Sequence, residues 1–320
     1  MHPLTAPNPS LSVEAQQYLT AAYAAKTKAA YQLALQRFEA MGYAIPATPP
    51  QVVEFLTQVQ TVQGQRPQMA TLSLWLAGIG KAHELSGYAN PCQHPLVKEV
   101  FRGMKRTHGM AQRQARPLLQ AEVVKMVTVP PVKTVKVIRD TVLILFGFTG
   151  MFRVSELVGI QLEDLLEHEE GILVRVRRSK TDQEGYGRQV GIPRARAPEG
   201  ICPVKALNLW LDVLKPQGIT RGPVLRNVDR RNGQGGIIGT ALTTRSVNRI
   251  LKLHAKQAGI DPTLVSGHSL RAGAATTLAK AGVDLWKIQQ QGGWKDTRML
   301  VERYIRNARL LADNAMANIW

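Results

Sequence analysis

Six side chains in the C-terminal two thirds of this 320-residue chain are of the types that handle a phosphodiester: two arginines, a lysine, a histidine, an indole and a tyrosine. Arg153 stands in "TGMFRVSELVGIQLEDL", residues 149–165, where a guanidinium behind an apolar helix is costly without an anion. Glu156, three residues on, is placed to hold it from the same helical face, although a purely structural Arg–Glu pair has the same spacing. Lys180 lies in "RRSKTDQEG", where its flexible stem suits a proton donor and where a lysine is ordinarily just solvated. "SGHSLRAG", residues 266–273, sets His268 and Arg271 one turn apart at a helix start, whose backbone N–H groups favour an anion. A capped helix with a surface histidine and arginine reads the same way. Trp294, after Gly292 and Gly293, has an indole N–H that can donate to a phosphate oxygen. Tyr304 sits between Arg303 and Arg306 on the next helix, a place where tyrosines are more often half-buried packing than nucleophiles. As a set, these residues fit metal-free phosphoryl chemistry in which cations meet the non-bridging oxygens and a phenol attacks. There is no cluster of metal-binding carboxylates, and "RRNGQGGIIGTALT" is a glycine-rich loop without the GK[ST] of a nucleotide-binding loop.

The elements that must position these residues are mostly helical. Residues 12–43 read as one helix with Leu19, Ala22, Tyr23, Tyr31, Leu35 and Phe38 at three-and-four spacing. "TPPQVVEFLTQVQ" opens a second behind Thr48, residues 68–85 a third with Leu72, Leu76, Ile79 and His83 inward, and "HPLVKEVFRGMKR" a fourth. Beyond Pro117, "LQAEVVKMV" and the buried "KVIRDTVLILFGFTG" are helices. Residues 172–178 and 187–192 alternate as a β-hairpin with Lys180 at its tip. Helices resume at "PVKALNLWLDVL", "TTRSVNRILKLHAKQAG" and "SGHSLRAGAATTLAKAG". Asp284 opens a short helix with Leu285 and Ile288 inward, and Asp296 caps the helix of Tyr304. The expected architecture is mainly α: a helical domain over 1–108, a basic linker over 109–116, and an α-rich domain with a small antiparallel sheet over 117–320.

Charge points to the partner. The net charge is +18, from 41 Lys and Arg against 23 Asp and Glu. Residues 1–116 hold 11 basic and 5 acidic side chains and the remainder 30 and 18, so both parts are basic. A polyanion is the expected partner, and nucleic acid is the commonest one. Arg102, Lys105, Arg106, Arg113 and Arg116 run through "RGMKRTHGMAQRQAR" without an acid and fit either a DNA-crossing linker or a solvated charge run. Base-reading candidates lie on the helix around Thr71–Lys81 and at Arg245 and Arg249. No run of about 18–20 apolar residues is present, so no membrane span is expected. No secretory signal is recognised, and Cys92 and Cys202 have no metal or redox spacing, so a reduced, cytoplasmic location is expected.

Four of these stretches, in this order, resemble the tyrosine site-specific recombinases of the phage integrase family, and within it the Cre-type members. "TGMFRVSEL" is similar to the family's first arginine box, and "GHSLRAG", "AGVDLWKIQQQGGW" and "RYIRN" to its second box and nucleophile helix. The resemblance covers residues 117–307 and is weaker over the N-terminal helices. It implies that Tyr304 attacks the scissile phosphate to give a 3′-phosphotyrosine link and a free 5′-hydroxyl. Arg153 and Arg271 would bind the non-bridging oxygens, Lys180 would protonate the leaving 5′-oxygen, and His268 would assist proton transfer. Trp294 would donate to the phosphate and Glu156 would orient the site. The resemblance further implies a C-shaped clamp on double-stranded DNA with a specific inverted-repeat site and strand exchange through a Holliday junction, with no metal, cofactor or ATP. It also implies a homotetramer in which "ARLLADNAMANIW", with Leu310, Leu311, Met316 and Ile319, docks in trans, on the nucleoid of a bacterial or phage setting, although an ordinary closing helix has the same pattern. One departure stands out: Trp294 and Tyr304 are ten apart, one more than is usual in the family. Two other readings share these residues: a type IB topoisomerase-like or resolving enzyme, and a non-catalytic DNA-binding regulator.

Overall fold

The computed structural model describes residues 11–109, 115–130, 134–177, 187–195, 201–229 and 236–302. The chain divides into two compact units, Met1–Arg113 and Gln114–Trp320.

The first unit consists, among its described residues, of α1 (Val13–Ala21), α2 (Ala25–Ala40), α3 (Pro49–Gln58), α4 (Met69–Leu85) and α5 (Pro95–His108). Proline in the first turn suits the entry of α3, and Gln51 Oε1 accepts from the Thr48 N–H at 2.8 Å. Leu35, Phe38, Phe55, Leu72, Trp75 and Ile79 form its core, with the Phe38 and Phe55 rings edge to face at 5.1 Å. His83 faces inward, where its Nε2 accepts from the Ala47 N–H at 2.8 Å and Nδ1 donates to the Ile79 carbonyl. The single helix expected over 12–43 is instead two, because Ala24 is extended (ψ 146°). No glycine or proline marks that break, and α1 buries no residue while α2 buries Ala34, Leu35 and Phe38. The core-facing helix is therefore only the second half of the periodic stretch.

The second unit begins with α6 (Gln120–Thr128), α7 (Val135–Thr149) and α8 (Val154–Gly159). Strands β1 (Leu165–His168), β2 (Gly171–Val176) and β3 (Arg188–Pro193) then form an antiparallel sheet in that order, with Val174 opposite Val190. Helix α9 (Pro203–Leu214) precedes a second antiparallel pair, β4 (Arg226–Val228) and β5 (Ile237–Ala241). Helices α10 (Thr244–Gln257), α11 (Gly267–Lys280), α12 (Leu285–Gly292) and α13 (Thr297–Leu300) follow. The hairpin read from alternation is β2–β3, and its tip, residues 178–186, lies outside the described residues. The part of "RRNGQGGIIGTALT" read as loop over 237–241 is a strand. It is short, holds a glycine, and is defined by long-range pairing with β4 rather than by its own pattern. Leu285, expected inward, is 40% exposed while Ile288 is fully buried. Asp284 makes no capping hydrogen bond and instead pairs with Lys287 at 2.8 Å.

Helix α7 is the axis of this unit, with Val142, Leu143, Ile144, Leu145 and Phe146 all buried. Two close approaches fix α11. The Leu118 N–H donates to the Ser269 carbonyl at 3.0 Å, and a Cβ added at Gly273 would fall 1.7 Å from the Leu118 carbonyl oxygen. A buried polar network lies beneath. Arg139 Nε and Nη2 grip one oxygen of Asp140 at 2.7 and 2.6 Å, and Arg139 Nη1 donates to the Arg226 carbonyl at 2.9 Å. His254 on α10 puts Nε2 3.3 Å from the other Asp140 oxygen and Nδ1 3.0 Å from the Met126 carbonyl. Both ring nitrogens face acceptors, an arrangement the imidazolium satisfies fully.

Candidate active site

The site grows from the turn between α7 and α8. Met151 is buried and holds φ at 49°, in the left-handed region that side chains rarely occupy. That turn stops α7 at Thr149 and restarts the helix behind Arg153, which is extended (ψ 150°) as the residue before α8. Glu156, at the third position of α8, reaches back as a capping residue does. Its Oε2 accepts from the Arg153 N–H at 3.0 Å and its Oε1 from Arg153 Nη1 at 2.5 Å. The Glu156 side chain is 1% exposed and the Arg153 side chain 17%, so the pair is largely shielded while the cation keeps access to solvent.

The second arginine comes from α11. Ser266 precedes the helix, and its Oγ accepts from the His268 N–H at 3.2 Å. The Gly267 N–H donates to Asn248 Oδ1 at 2.7 Å. Arg271 is buried, and its Nη1 donates to the carbonyls of Met151 and, at 2.7 Å, Gly292. Its guanidinium carbon lies 3.8 Å from the ring centre of buried Trp294, a cation–π contact. Gly293, at φ 65°, ends α12 and aims the indole back at Arg271. His268 is exposed at the helix entrance. The two arginines thus flank one turn: Arg271 bonds to a carbonyl two residues before Arg153.

Arg188 and Gln291 also belong here and are not singled out by the sequence reading. Arg188 Nη2 is 3.3 Å from Glu156 Oε2, and its Nη1 donates to the Gln291 carbonyl at 3.0 Å. Gln291 Nε2 donates to the carbonyls of Thr149 and Gly191, both at 2.9 Å. Burial pushes the Arg188 guanidinium below its ordinary pKa, Glu156 opposes that, and Arg153 adds to it. The sequence does carry a signal: on β3, Arg188 shares a face with buried Val190 and Ile192, so alternation alone sets a cation inward. Gln291 has no such mark. Lys180 and Tyr304 lie outside the described residues, as do Arg113, Arg303, Arg306 and the segment 308–320. Among the described residues, no three His, Cys, Asp or Glu side chains are grouped to hold a metal.

The basic candidates fall into two kinds. Lys81 pairs with Glu84 at 3.2 Å, Arg102 with Glu99 at 2.9 Å and Arg116 with Glu122 at 2.6 Å, while Lys105 lies 4.5 Å over the Phe101 ring. Arg116, assigned to the linker from sequence, donates its N–H to the Leu264 carbonyl and so is tied into the second unit. Arg106, Arg245 and Arg249 are exposed. On α10, Lys252 and Lys256 are exposed as well, which extends Arg245 and Arg249 into a stripe opposite buried Val247, Ile250, Leu251 and His254. The three-and-four spacing of those cations in "TTRSVNRILKLHAKQ" is the signal by which the two lysines could be found. No described helix is long and apolar enough to cross a membrane.

In the second unit two arginines are thus braced, one by a glutamate and one by an indole, around a single turn. Residues 116–310 match the phage integrase family, and the chain belongs to it, among the tyrosine recombinases that recombine DNA site-specifically by cleaving and rejoining strands. The integrase/recombinase xerD homolog of Selenomonas ruminantium is 33% identical over 279 residues, which cover 86% of this chain and 78% of that protein. The recombinase cre of Escherichia phage P1 is 25% identical over 277 residues, 82% of this chain and 77% of that one. Both Xer-type and Cre-type enzymes are therefore relatives, the xerD homolog at the higher identity. Among solved structures, XerH recombinase in a post-cleavage complex with palindromic difH substrate aligns with a TM-score of 0.63 at 18% identity, over 94% of this chain and 83% of that one. A lambda integrase dimer bound to a COC′ core site aligns at 0.58 and 16%, over 89% and 73%. These two establish the fold.

Proposed function

We propose that this chain cleaves and rejoins double-stranded DNA at a specific site through Tyr304, by a covalent 3′-phosphotyrosine intermediate. The observation that carries the reading is the bracing of Arg153 by Glu156 and of Arg271 by Trp294 on either side of the Met151 turn. Fixed cations at that spot lower the energy of a phosphorane, whose charge grows on the non-bridging oxygens, at no cost of reorganisation. Tyr304 Oη attacks phosphorus and the P–O5′ bond breaks. Lys180 gives its proton to the departing 5′-oxygen, and His268 helps to take the phenol's. The ester so formed keeps the bond energy, so a 5′-hydroxyl from a second duplex reverses the step without metal or ATP, giving a Holliday junction and then recombinants.

The DNA lies against the α10 stripe of Arg245, Arg249, Lys252 and Lys256. A helical DNA-binding domain over residues 1–108, with Lys81, Arg102, Lys105 and Arg106, and the basic stretch 109–116, with Arg113 and Arg116, supply further phosphate contacts. The catalytic domain is residues 117–320. Four copies act on two inverted-repeat sites, and the segment 308–320 docks on a neighbour in trans; the place of action is the nucleoid. The test is a nicked suicide duplex carrying the site mapped by footprinting. The wild-type chain accumulates a covalent adduct and Tyr304→Phe does not. Absence of the adduct in the wild type, or its persistence in Tyr304→Phe, refutes the assignment.

A further inference from the structure

We propose that Arg188 is a positioning residue for strand cleavage, acting through Glu156 on Arg153 rather than by touching DNA. The inference rests on the reading of Arg153 as a phosphate ligand and Tyr304 as the nucleophile.

Three observations converge on it. The first is charge. Glu156, with its side chain 1% exposed, is shared between Arg153 and Arg188. One carboxylate and one guanidinium would form a neutral pair, in which Arg153 is already satisfied. With Arg188 added, one carboxylate is divided between two guanidiniums, so Glu156 neutralises less of the charge on Arg153. The second is connection. Arg188 bonds to the Gln291 carbonyl, and the Gln291 side chain bonds to Gly191 on β3 and to Thr149 at the end of α7. Strand β3 is thereby fastened to α8, to α12 just before Trp294, and to the start of the turn that receives Arg271. The third is cost. Arg188 Nε is buried and has no hydrogen-bond partner among the described residues, and a Cβ added at Gly293 would stand 2.7 Å from it. An apolar side chain on the inward face of β3 would fill this space without that penalty. An arginine there is explained by its charge and by the two bonds it makes.

The experiment compares the full-length wild type, Arg188→Gln and Arg188→Lys in single-turnover cleavage of three versions of the mapped suicide duplex. One is unmodified. One has a methylphosphonate at the scissile position, which replaces a non-bridging oxygen with an uncharged methyl. One has a 5′-bridging sulfur, whose departure needs no proton. On the unmodified duplex Arg188→Gln binds DNA within about threefold of wild type and cleaves roughly 10²-fold more slowly, the scale of a misplaced catalytic group. Arg188→Lys, which keeps the charge but not the planar fork, cleaves about tenfold more slowly. On the methylphosphonate the Arg188→Gln gap closes to within about threefold, because less charge develops for Arg153 to meet. On the bridging sulfur the gap persists. A merely structural lesion slows all three duplexes alike, so equal gaps overturn the inference, as does closure on the bridging sulfur or unimpaired cleavage by Arg188→Gln. If the wild type forms no adduct, or Tyr304→Phe does, the site assignment itself falls and this inference with it. A wild-type adduct that needs Tyr304, beside an Arg188→Gln that cleaves normally, sinks the inference alone.

Discussion

Gly267→Ala should disable strand cleavage without preventing DNA binding, because one added methyl group has no room between the two arginine-bearing helices. A Cβ built on Gly267 falls 1.9 Å from Val154 Cγ2, with Val154 Cβ at 3.3 Å and Asn248 Oδ1 at 3.4 Å as the next neighbours. Ordinary contact begins at roughly 3.4 Å, so the start of α11 must retreat from the start of α8 by about 1.5 Å, since a β-branched side chain on a helix has almost no other rotamer. Val154 is the residue after Arg153, and Gly267 precedes His268 and Arg271. The displacement therefore separates the two cations proposed to bind the scissile phosphate. Overpacking of this kind costs about 1–3 kcal/mol of stability, and a misplacement of about 1 Å costs on the order of 10²-fold in rate. The assay is adduct formation on the suicide duplex beside an equilibrium binding titration. Adding Val154→Ala removes Cγ2 and leaves only the neighbours at 3.3 and 3.4 Å, so the double variant should recover most of the rate. Cleavage by Gly267→Ala within about threefold of wild type would refute the packing argument, and failure of Val154→Ala to rescue would assign the defect to some other cause.

Three other expectations follow from the geometry. Glu156→Ala removes the carboxylate shared by two largely buried guanidiniums and should destabilise the second unit by about 3–5 kcal/mol in denaturant melts, more than Arg153→Ala, which leaves Arg188 on the carboxylate; an equal or smaller effect contradicts the shared ion pair. His254 is disfavoured as a cation by burial, but its bonds to Asp140 and the Met126 carbonyl outweigh this and raise its pKa above 6.5. The stability it contributes is therefore complete below about pH 6.5 and lost as pH rises through the higher folded value. The Tm difference between wild type and His254→Gln should shrink over that rise, and a constant difference from about pH 5.5 to 8.5 would remove the argument. Replacing Arg245, Arg249, Lys252 and Lys256 together with alanine should lower the slope of log affinity against log salt by about 0.9 for each phosphate that is no longer neutralised, and an unchanged slope would show that α10 does not lie on DNA.

Much of the fold is readable because helices announce themselves locally. The entry of α3 behind Thr48, the apolar run of α7 and the alternation of β2 and β3 are all set by residues a few positions apart. The features that sequence reasoning misses depend on distant partners. The break at Ala24 carries no breaker residue, β5 exists by pairing with β4, and Leu285 faces out although its spacing suits a core. Spacing says that a face is apolar, and only packing says which part of it is covered.

The same division runs through the site. From residue types and order alone come the family resemblance and the set Arg153, Glu156, Lys180, His268, Arg271, Trp294 and Tyr304, because phosphoryl chemistry restricts which side chains can serve. The tertiary structure decides how the cations are held: Arg271 against the Met151 and Gly292 carbonyls and the Trp294 ring, and Arg153 against a glutamate shared with Arg188. Those interactions join residues up to 120 positions apart. The physical reason is that a side chain's chemistry is local, whereas its charge, burial and aim belong to whatever the fold brings beside it.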